Sequence, residues 1–395
     1  MKYRRFGKTD INMPVFSCGG MRFNQSWEDK PYSEIEKTNQ ENIEIVIDKA
    51  LSLGINHIET ARSYGTSEMQ LGKALKNFKR EKIILQTKIA PSENVADFTK
   101  KFEMSLNNLK VDYVDLLSIH GINDQLTYDW SIRKNGILSE VRKLQNQGLC
   151  KFVGFSTHGP NDIILKTIQS GEFDYVNLHW YYIFQKNWPV IDAANTRDMG
   201  VFIISPNDKG GKLYSPSQKL VELCKPLSPM AFNDLFCLSK SQIHTLSLGI
   251  SNPSDFDEHV NTLQYYDDIE KVIKPIVEKL DNELNKIQNE LGFDYWNEEL
   301  IPTWEKTPGG INIKNIIWLW HLYKAFDMLE YAKGRYNLLG NGGHWFPGQK
   351  VKLSKLKIIE SIINNSKVYD TICNILTETH QILNTQDEKR LSESK

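Results

Sequence analysis

Ile55-Asn56-His57-Ile58-Glu59-Thr60-Ala61, running on into Arg62-Ser63-Tyr64-Gly65, sets the architecture. Its apolar, β-branched start reads as a short buried strand, and its end carries a carboxylate, a guanidinium and a phenol in quick succession. The pattern returns twice. Lys82-Ile83-Ile84-Leu85-Gln86-Thr87-Lys88 closes on an ammonium, and Tyr113-Val114-Asp115-Leu116-Leu117-Ser118-Ile119-His120 closes on an imidazole. Helical segments separate the three runs, as in βα units whose strands are parallel. In a parallel α/β barrel the strand ends share one face, and that face carries the chemistry.

Outward from this stretch, strand-like runs recur near 16–22, 55–61, 82–88, 113–119, 150–156, 174–180, 201–206 and 244–250. Helical spacing fills the gaps. Ile43, Val46, Ile47 and Ala50 precede Leu53-Gly54, and Leu138, Val141 and Leu144 precede Gly148, where glycine suits a helix end. Eight strands alternating with helices predict an α/β fold, a (β/α)8 TIM barrel over residues 1–266. Cys18-Gly19-Gly20 is not the Gly-x-Gly-x-x-Gly fingerprint, which argues against an open doubly wound sheet. The connection over 207–231 holds Gly210-Gly211, Pro216, Pro226 and Pro229, and reads as mostly loop with a short helix at 218–223. Long ordered loops on this barrel face usually cover a ligand. A mostly helical extension follows over 267–375, and 376–395 reads as a polar, disordered tail.

Composition narrows the function classes. The chain has 395 residues with a net charge of −1, which points to neither nucleic acid nor an anionic membrane as partner. No apolar run approaches the roughly 18 residues that span a bilayer, and MKYRRFGKTDI has no apolar segment of a secretory signal. Cys18, Cys150, Cys224, Cys237 and Cys373 are scattered without Cys-x-x-Cys spacing. They read as reduced thiols of a cytoplasmic protein, with no metal site and no disulfide framework.

Taken singly, Tyr64 reads as a packed turn residue, Lys88 as a solvated charge and His120 as a cap on a backbone carbonyl. Together with Glu59 they form a proton-delivery set. A phenol with a pKa of about 10 donates poorly at neutral pH, and an adjacent ammonium lowers that value by about 1–3 units. A buried lysine stays charged only beside a carboxylate. An imidazole supplies a second donor to a developing alkoxide. Such a set protonates a carbonyl oxygen while hydride arrives at carbon, and needs no metal.

The order and spacing of ETARSYG, LQTK and SIH resemble the aldo-keto reductase superfamily over roughly residues 1–265. The resemblance implies that Tyr64 is the general acid, that Lys88 lowers its pKa, that Glu59 pairs with Lys88, and that His120 orients a small carbonyl substrate. The family carboxylate is usually aspartate, and Glu59 is one methylene longer. An extended nicotinamide cofactor is also implied, NADPH by default with NADH as the alternative. Ser156, Thr157 and Asn177 match positions that hold its carboxamide, Thr157 standing for an asparagine and Asn177 for a glutamine. Ser205-Pro206-Asn207-Asp208-Lys209-Gly210-Gly211-Lys212 matches the loop near the pyrophosphate, which adds Ser205, Asn207, Lys209 and Gly211. Glycines there let backbone amides approach phosphate. The last strand and its helix add Gly249, Ser251, Asp255 and His259. Many relatives place lysine and arginine where Gly249 and Asp255 stand, to grip a 2′-phosphate. A carboxylate there suits a free ribose hydroxyl instead. Ser251 and Asn252, at a helix start, can still bind phosphate.

Residues 297–350 resemble the C-terminal segment of one aldo-keto reductase branch, a ferredoxin-like unit with two iron–sulfur clusters. The words that match are Pro308-Gly309-Gly310-Ile311-Asn312-Ile313 and Met328-Leu329-Glu330-Tyr331-Ala332-Lys333-Gly334-Arg335-Tyr336. The ligand positions read Asn297, Leu300, Thr303 and Thr307, and no cysteine stands between 238 and 372. Residue type therefore excludes an iron–sulfur cluster. Trp296, Trp304, Trp318, Trp320, Trp345 and Phe346 read as an aromatic core, with a ligand pocket as the alternative. His344 reads as an exposed turn residue. Arg62, Trp27, Trp180 and Tyr181 are candidates to line a cleft, packing being the other reading. Two rival functions follow from Glu59 and the altered extension. One is a catalytically weak cofactor-binding sensor; the other is a module that engages a redox or protein partner through the extension.

Overall fold

The structure, a computed structural model, describes residues 1–363 and 366–390. Tyr3–Arg5 (β1) pairs antiparallel with Asn12–Pro14 (β2) in a hairpin. Eight parallel strands then close a barrel: Phe16–Gly19 (β3), His57–Glu59 (β4), Ile84–Ile89 (β5), Val114–His120 (β6), Cys150–Ser156 (β7), Tyr175–Leu178 (β8), Gly200–Ile203 (β9) and Thr245–Gly249 (β10), with β10 returning to β3. Each strand lies inside the run that the sequence indicates or within a residue of it. β3 stops short of residue 22 because the chain turns into a 3-10 helix at Gly20–Phe23. The hairpin went unforeseen, since three-residue strands carry too little alternation to register.

Side chains two apart on a strand share a face, so the barrel interior stacks in layers. Phe6 and Met13, from the hairpin and its turn, pack with Leu116, Tyr175 and Phe202 in a buried apolar cluster. Gly154 permits this cluster: a Cβ there would fall 2.5 Å from the Tyr175 ring. Next comes a polar girdle. Thr245 Oγ1 meets Ser17 Oγ at 2.6 Å, Ser17 Oγ meets His57 Nδ1 at 2.6 Å, and His57 Nε2 meets Gln86 Oε1 at 3.1 Å. Gln86 Nε2 donates to Ser118 Oγ at 2.9 Å, and Ser118 Oγ meets the Tyr175 hydroxyl at 3.0 Å. Burial pushes the His57 imidazole down to about 3, so it is neutral and satisfies one donor and one acceptor. Two residues beyond these girdle members stand Gly19, Glu59, Lys88, His120, Asn177 and Ser247. The third layer is where the candidate chemistry lies.

The chain divides into two compact units, Met1–Gly210 with Asn233–Glu270, and Gly211–Phe232 with Lys271–Lys395. The segment 211–232 groups with the second unit for specific reasons. Ser217 Oγ donates to Phe326 O at 2.5 Å, Lys219 pairs with Glu283 at 2.8 Å, and Lys279 Nζ donates to Lys225 O at 3.3 Å. The segment does hold a helix, Gln218–Cys224. In the second unit Ile313–Phe326, Leu329–Leu338 and Ser366–Leu383 pack on one another. Trp318 packs against Tyr331 and Phe346, and Trp320 donates from Nε1 to Glu378 Oε2 at 2.8 Å. These rings, with Phe346, are buried, whereas Trp296, Trp304 and Trp345 are half-buried and His344 is exposed.

The tail expected from 376 is instead helical to Leu383. Beyond it Asn337 and Lys350 catch the chain: Thr385 N donates to Asn337 Oδ1 at 3.0 Å, and Lys350 pairs with Asp387 at 2.5 Å. Polar composition hid these anchors because their partners lie 37 and 48 residues upstream. Residues 391–395 of that tail lie outside the described residues. Among the described residues no helix is long and apolar enough to cross a membrane.

Candidate active site

β4 ends at Glu59, but its backbone pairing continues: Thr60 N donates to Gln86 O at 2.9 Å and Arg62 N to Lys88 O at 3.0 Å. The chain then turns sharply. Tyr64 N donates to Ala61 O at 3.0 Å, and Gly65 takes φ +53° with its Cβ position only 1.9 Å from Ser26 O. A side chain at 65 would break that approach. Arg62 pins the turn, pairing with Asp29 and, at 3.1 Å, with the fully buried Glu68. Glu68 also accepts from Thr87 Oγ1 at 2.6 Å. Arg62 is thus held by two carboxylates at the turn that carries Tyr64.

This brings together the four residues expected to act. Lys88 and Glu59 form a buried ion pair, each under 5% exposed. Lys88 Nζ also donates to Thr60 O at 2.8 Å and lies 5.0 Å from the centre of the Tyr64 ring. The second Glu59 oxygen accepts from Ser247 Oγ at 2.9 Å. Glu59 therefore spans from Lys88 on β5 to Ser247 on β10. Tyr64 meets Trp27 and His120 edge-on, with ring centres 6.4 and 5.8 Å apart. Ser63 Oγ meets His120 Nδ1 at 3.2 Å.

The electrostatics correct one expectation. Burial disfavours the Lys88 charge, but Glu59 and then Tyr64 outweigh it, so the ammonium is held above its ordinary value. Tyr64 moves up, not down. Burial raises it most, Lys88 lowers it, and the Glu59 charge raises it again. At neutral pH Tyr64 is consequently a phenol, the form that donates. Burial and then the Lys88 charge push His120 down to about 3, so it is a neutral imidazole. Ser63 Oγ either donates to Nδ1, which puts the ring proton on Nε2, or accepts from it.

The cofactor candidates fare unequally. Asn177 is fully buried, and both its amide atoms lack a partner among the described residues. A buried amide left unsatisfied costs about 1–3 kcal/mol, which a carboxamide ligand would remove. Ser156 lies beside it in register on β7, its hydroxyl accepting only from Gly121 N, at 3.1 Å, among the bonds described. Thr157 is a turn brace: its hydroxyl donates to Ile122 O at 2.7 Å and accepts from Gly159 N at 2.9 Å. Ser205 and Lys209 close a turn, Lys209 N donating to Ser205 O at 3.0 Å, and Lys209 Nζ meets His179 Nε2 at 3.3 Å. Asn207 Nδ2 meets His259 Nε2 at 3.1 Å, and both residues are buried. Gly211 belongs to the second unit.

At the end of β10, Asp255 Oδ2 accepts from Ser251 N at 2.8 Å and Asn252 N at 2.9 Å. Its carboxylate is engaged with the amides that sequence assigned to phosphate. A cation reaches this strand end from another part of the chain. Arg22 lies with its Nε 3.2 Å and its Cζ 3.6 Å from the Cβ position of Gly249, and its Nη1 reaches Ser251 Oγ at 3.5 Å. Nothing in the spacing around Arg22 announced it, because the contact joins residues more than 200 apart. Trp180 and Tyr181 are buried packing residues, Trp180 stacking on Phe236 at 4.9 Å. Asp234, Glu68 and Ser247 went unnoticed as well: Ser247 meets Glu59 across 188 residues, Asp234 meets His259 across 25, and Glu68 joins Arg62, six residues away, to Thr87, 19 away.

A model of the aldo/keto reductase family matches residues 16–211. Those residues form an aldo/keto reductase family domain. L-galactose dehydrogenase of Arabidopsis thaliana is 27% identical over 248 residues, covering 54% of this chain and 75% of that protein. An uncharacterized oxidoreductase of Bacillus subtilis is 24% identical over 236 residues, covering 54% and 70%. An aldo-keto reductase from Bacillus halodurans in its holo form shares the fold with a TM-score of 0.57 at 19% identity, over 69% of this chain and 96% of that one. The match to the aldo/keto reductase family ends before β10, so Gly249, Ser251, Asp255 and His259 lie beyond it.

Proposed function

We propose that this oxidoreductase transfers hydride between a nicotinamide dinucleotide and a small aldehyde or ketone, with Tyr64 as general acid. The observation that carries the reading is the buried Glu59–Lys88 pair set against Tyr64, next to a neutral His120. Lys88 keeps its proton because Glu59 faces it, and so presents a fixed positive charge to the phenol oxygen as that oxygen gives up its proton. Such preorganised charge strengthens in a dry site. His120 Nε2–H is a second donor for the carbonyl oxygen, with no change of protonation over the physiological range. Arg62 and Gly65 hold the Tyr64 turn in place before substrate arrives.

Asn177 and Ser156 would hold the carboxamide of the dinucleotide, and Arg22, Ser205, Asn207 and Lys209 its phosphates. When bound, that group supplies or accepts the hydride. Arg22 beside Gly249 supports NADPH over NADH, because it restores a cation at the strand end while Asp255 is occupied by backbone amides. Oxidation of NADPH followed by absorbance over a panel of aldehydes and ketones tests the reading, with Tyr64→Phe as control. Turnover by wild type and its loss in the variant are expected. A Tyr64→Phe protein that reduces carbonyls at the wild-type rate would remove Tyr64 from the acid role.

A further inference from the structure

Away from Tyr64, a buried chain of three polar side chains links helix Pro229–Leu238, helix Asp255–Thr262 and the loop after β9. His259 Nδ1 pairs with Asp234 Oδ2 at 2.5 Å, and His259 Nε2 meets Asn207 Nδ2 at 3.1 Å. All three are buried, Asp234 completely. Two atoms in the chain, Asp234 Oδ1 and Asn207 Oδ1, have no partner among the described residues. The loop that carries Asn207 is wound tightly. Lys209 N donates to Ser205 O, Asn233 Nδ2 donates to Pro206 O at 3.2 Å, and Gly210 packs against that same carbonyl.

We propose that Asp234, acting through His259, sets which end of the Asn207 amide the phosphate loop leaves over for a ligand, and so is a positioning residue for dinucleotide binding. The inference rests on the cofactor reading above. Its logic is donor-and-acceptor bookkeeping. Asp234 takes the Nδ1 proton, so the role of Nε2 depends on whether His259 carries a second proton. Neutral His259 accepts at Nε2 from Asn207 Nδ2–H and leaves the amide oxygen over, which is the arrangement seen. An acceptor left over repels phosphate. Charged His259 donates from Nε2, which requires Asn207 to turn its amide by 180° and offer Oδ1. The amide NH2 is then left over, a donor that seeks an anion.

The Nδ2–Nε2 contact seen belongs to neutral His259, whereas the surroundings pull the imidazole toward the charged state. Asp234, Glu258 and Asp255 all face His259 with negative charge, and together they outweigh the burial that opposes it, so the imidazole holds its proton above its ordinary value. Phe16 presents its ring at 5.7 Å, and the nearby Cys237 thiol is buried and protonated. A group raised in this way is charged at and below its ordinary value of about 6.5, and loses the charge as pH rises through the raised value. The donor form of Asn207 is lost in the same window.

The test is NADPH binding, read from quenching of tryptophan fluorescence, at neutral and at alkaline pH. Wild type should lose about tenfold in affinity as His259 deprotonates, the worth of one charge-assisted hydrogen bond. Asp234→Asn should bind weakly at both pH values, with no slope, while circular dichroism matches wild type. Asn207→Ala changes the loop alone; it should also bind about tenfold more weakly and lose the slope. Wild-type affinity and slope in Asp234→Asn, or a slope that persists in Asn207→Ala, would overturn the proposal. A wild type that binds with no slope overturns it too and leaves the cofactor reading standing. A wild type that binds neither NADPH nor NADH overturns both.

Discussion

Glu59, Lys88 and His120 stand on three consecutive strands, with Tyr64 one turn past the first, all between residues 59 and 120. Arg22, Asn207, Asp234 and His259 come from a 3-10 helix, a loop and two α-helices spread from residue 22 to residue 259. Both groups belong to the barrel unit, and both are built from polar side chains with specific partners. The first group hangs on backbone that parallel pairing fixes, so sequence position translates directly into place in space. Members of the second group find one another only after closure. Strand ends are therefore the legible part of such a site, and the loops and helices that follow them are not.

The largest effect expected is at Tyr64. Tyr64→Phe should lower carbonyl reduction by about 10²–10⁴-fold while fluorescence titration shows dinucleotide affinity unchanged. Equal loss of binding would break the separation of the two groups. Lys88→Met leaves the Glu59 carboxylate buried and unpaired, and should destabilise the fold by about 3–5 kcal/mol in chemical denaturation. Glu59→Gln with Lys88→Met should recover much of that loss without recovering activity. Arg22→Gln tests the second group alone. It should weaken NADPH by about tenfold and NADH by less, with kcat at saturating cofactor near wild type.

The smallest effect is a flat line. His120, held down to about 3, stays neutral in the fold, so the rate of carbonyl reduction should show no inflection near the ordinary imidazole value of about 6.5. Tyr64, raised above its ordinary value, keeps its proton through the same range, whereas alcohol oxidation needs the phenolate and should climb only at alkaline pH. Stability follows the opposite limb. The unfolded chain protonates His57 and His120 near 6.5 while the folded one resists until about 3, so the protein should lose stability as pH falls through that window. Denaturation midpoints measured at a series of acid pH values check this.

Within the fold, the eight barrel strands were legible because buried parallel strands are short apolar runs at regular spacing. The β1–β2 hairpin was not, since its six paired residues carry no periodicity. The anchored stretch 384–390 was hidden by its own polarity. At the strand ends, residue type and strand position sufficed to place Glu59, Lys88, Tyr64 and His120 beside one another. They did not show that the Thr157 hydroxyl meets the backbone or that the Asp255 carboxylate caps its own loop. Local hydrogen bonding of short polar side chains competes with any ligand role, and a sequence does not show which wins.

The amino-acid sequence by itself determined the barrel and the four polar residues gathered at its strand ends, because the alternation of buried strands with helices and the type of residue at each strand end are local properties. Only the tertiary structure decided the direction of the Tyr64 pKa, the place of Arg22 against Gly249 and the link from Asp234 through His259 to Asn207. Each of these is a balance of burial and charge among groups far apart in the chain. Such balances exist only once the chain has closed and excluded water.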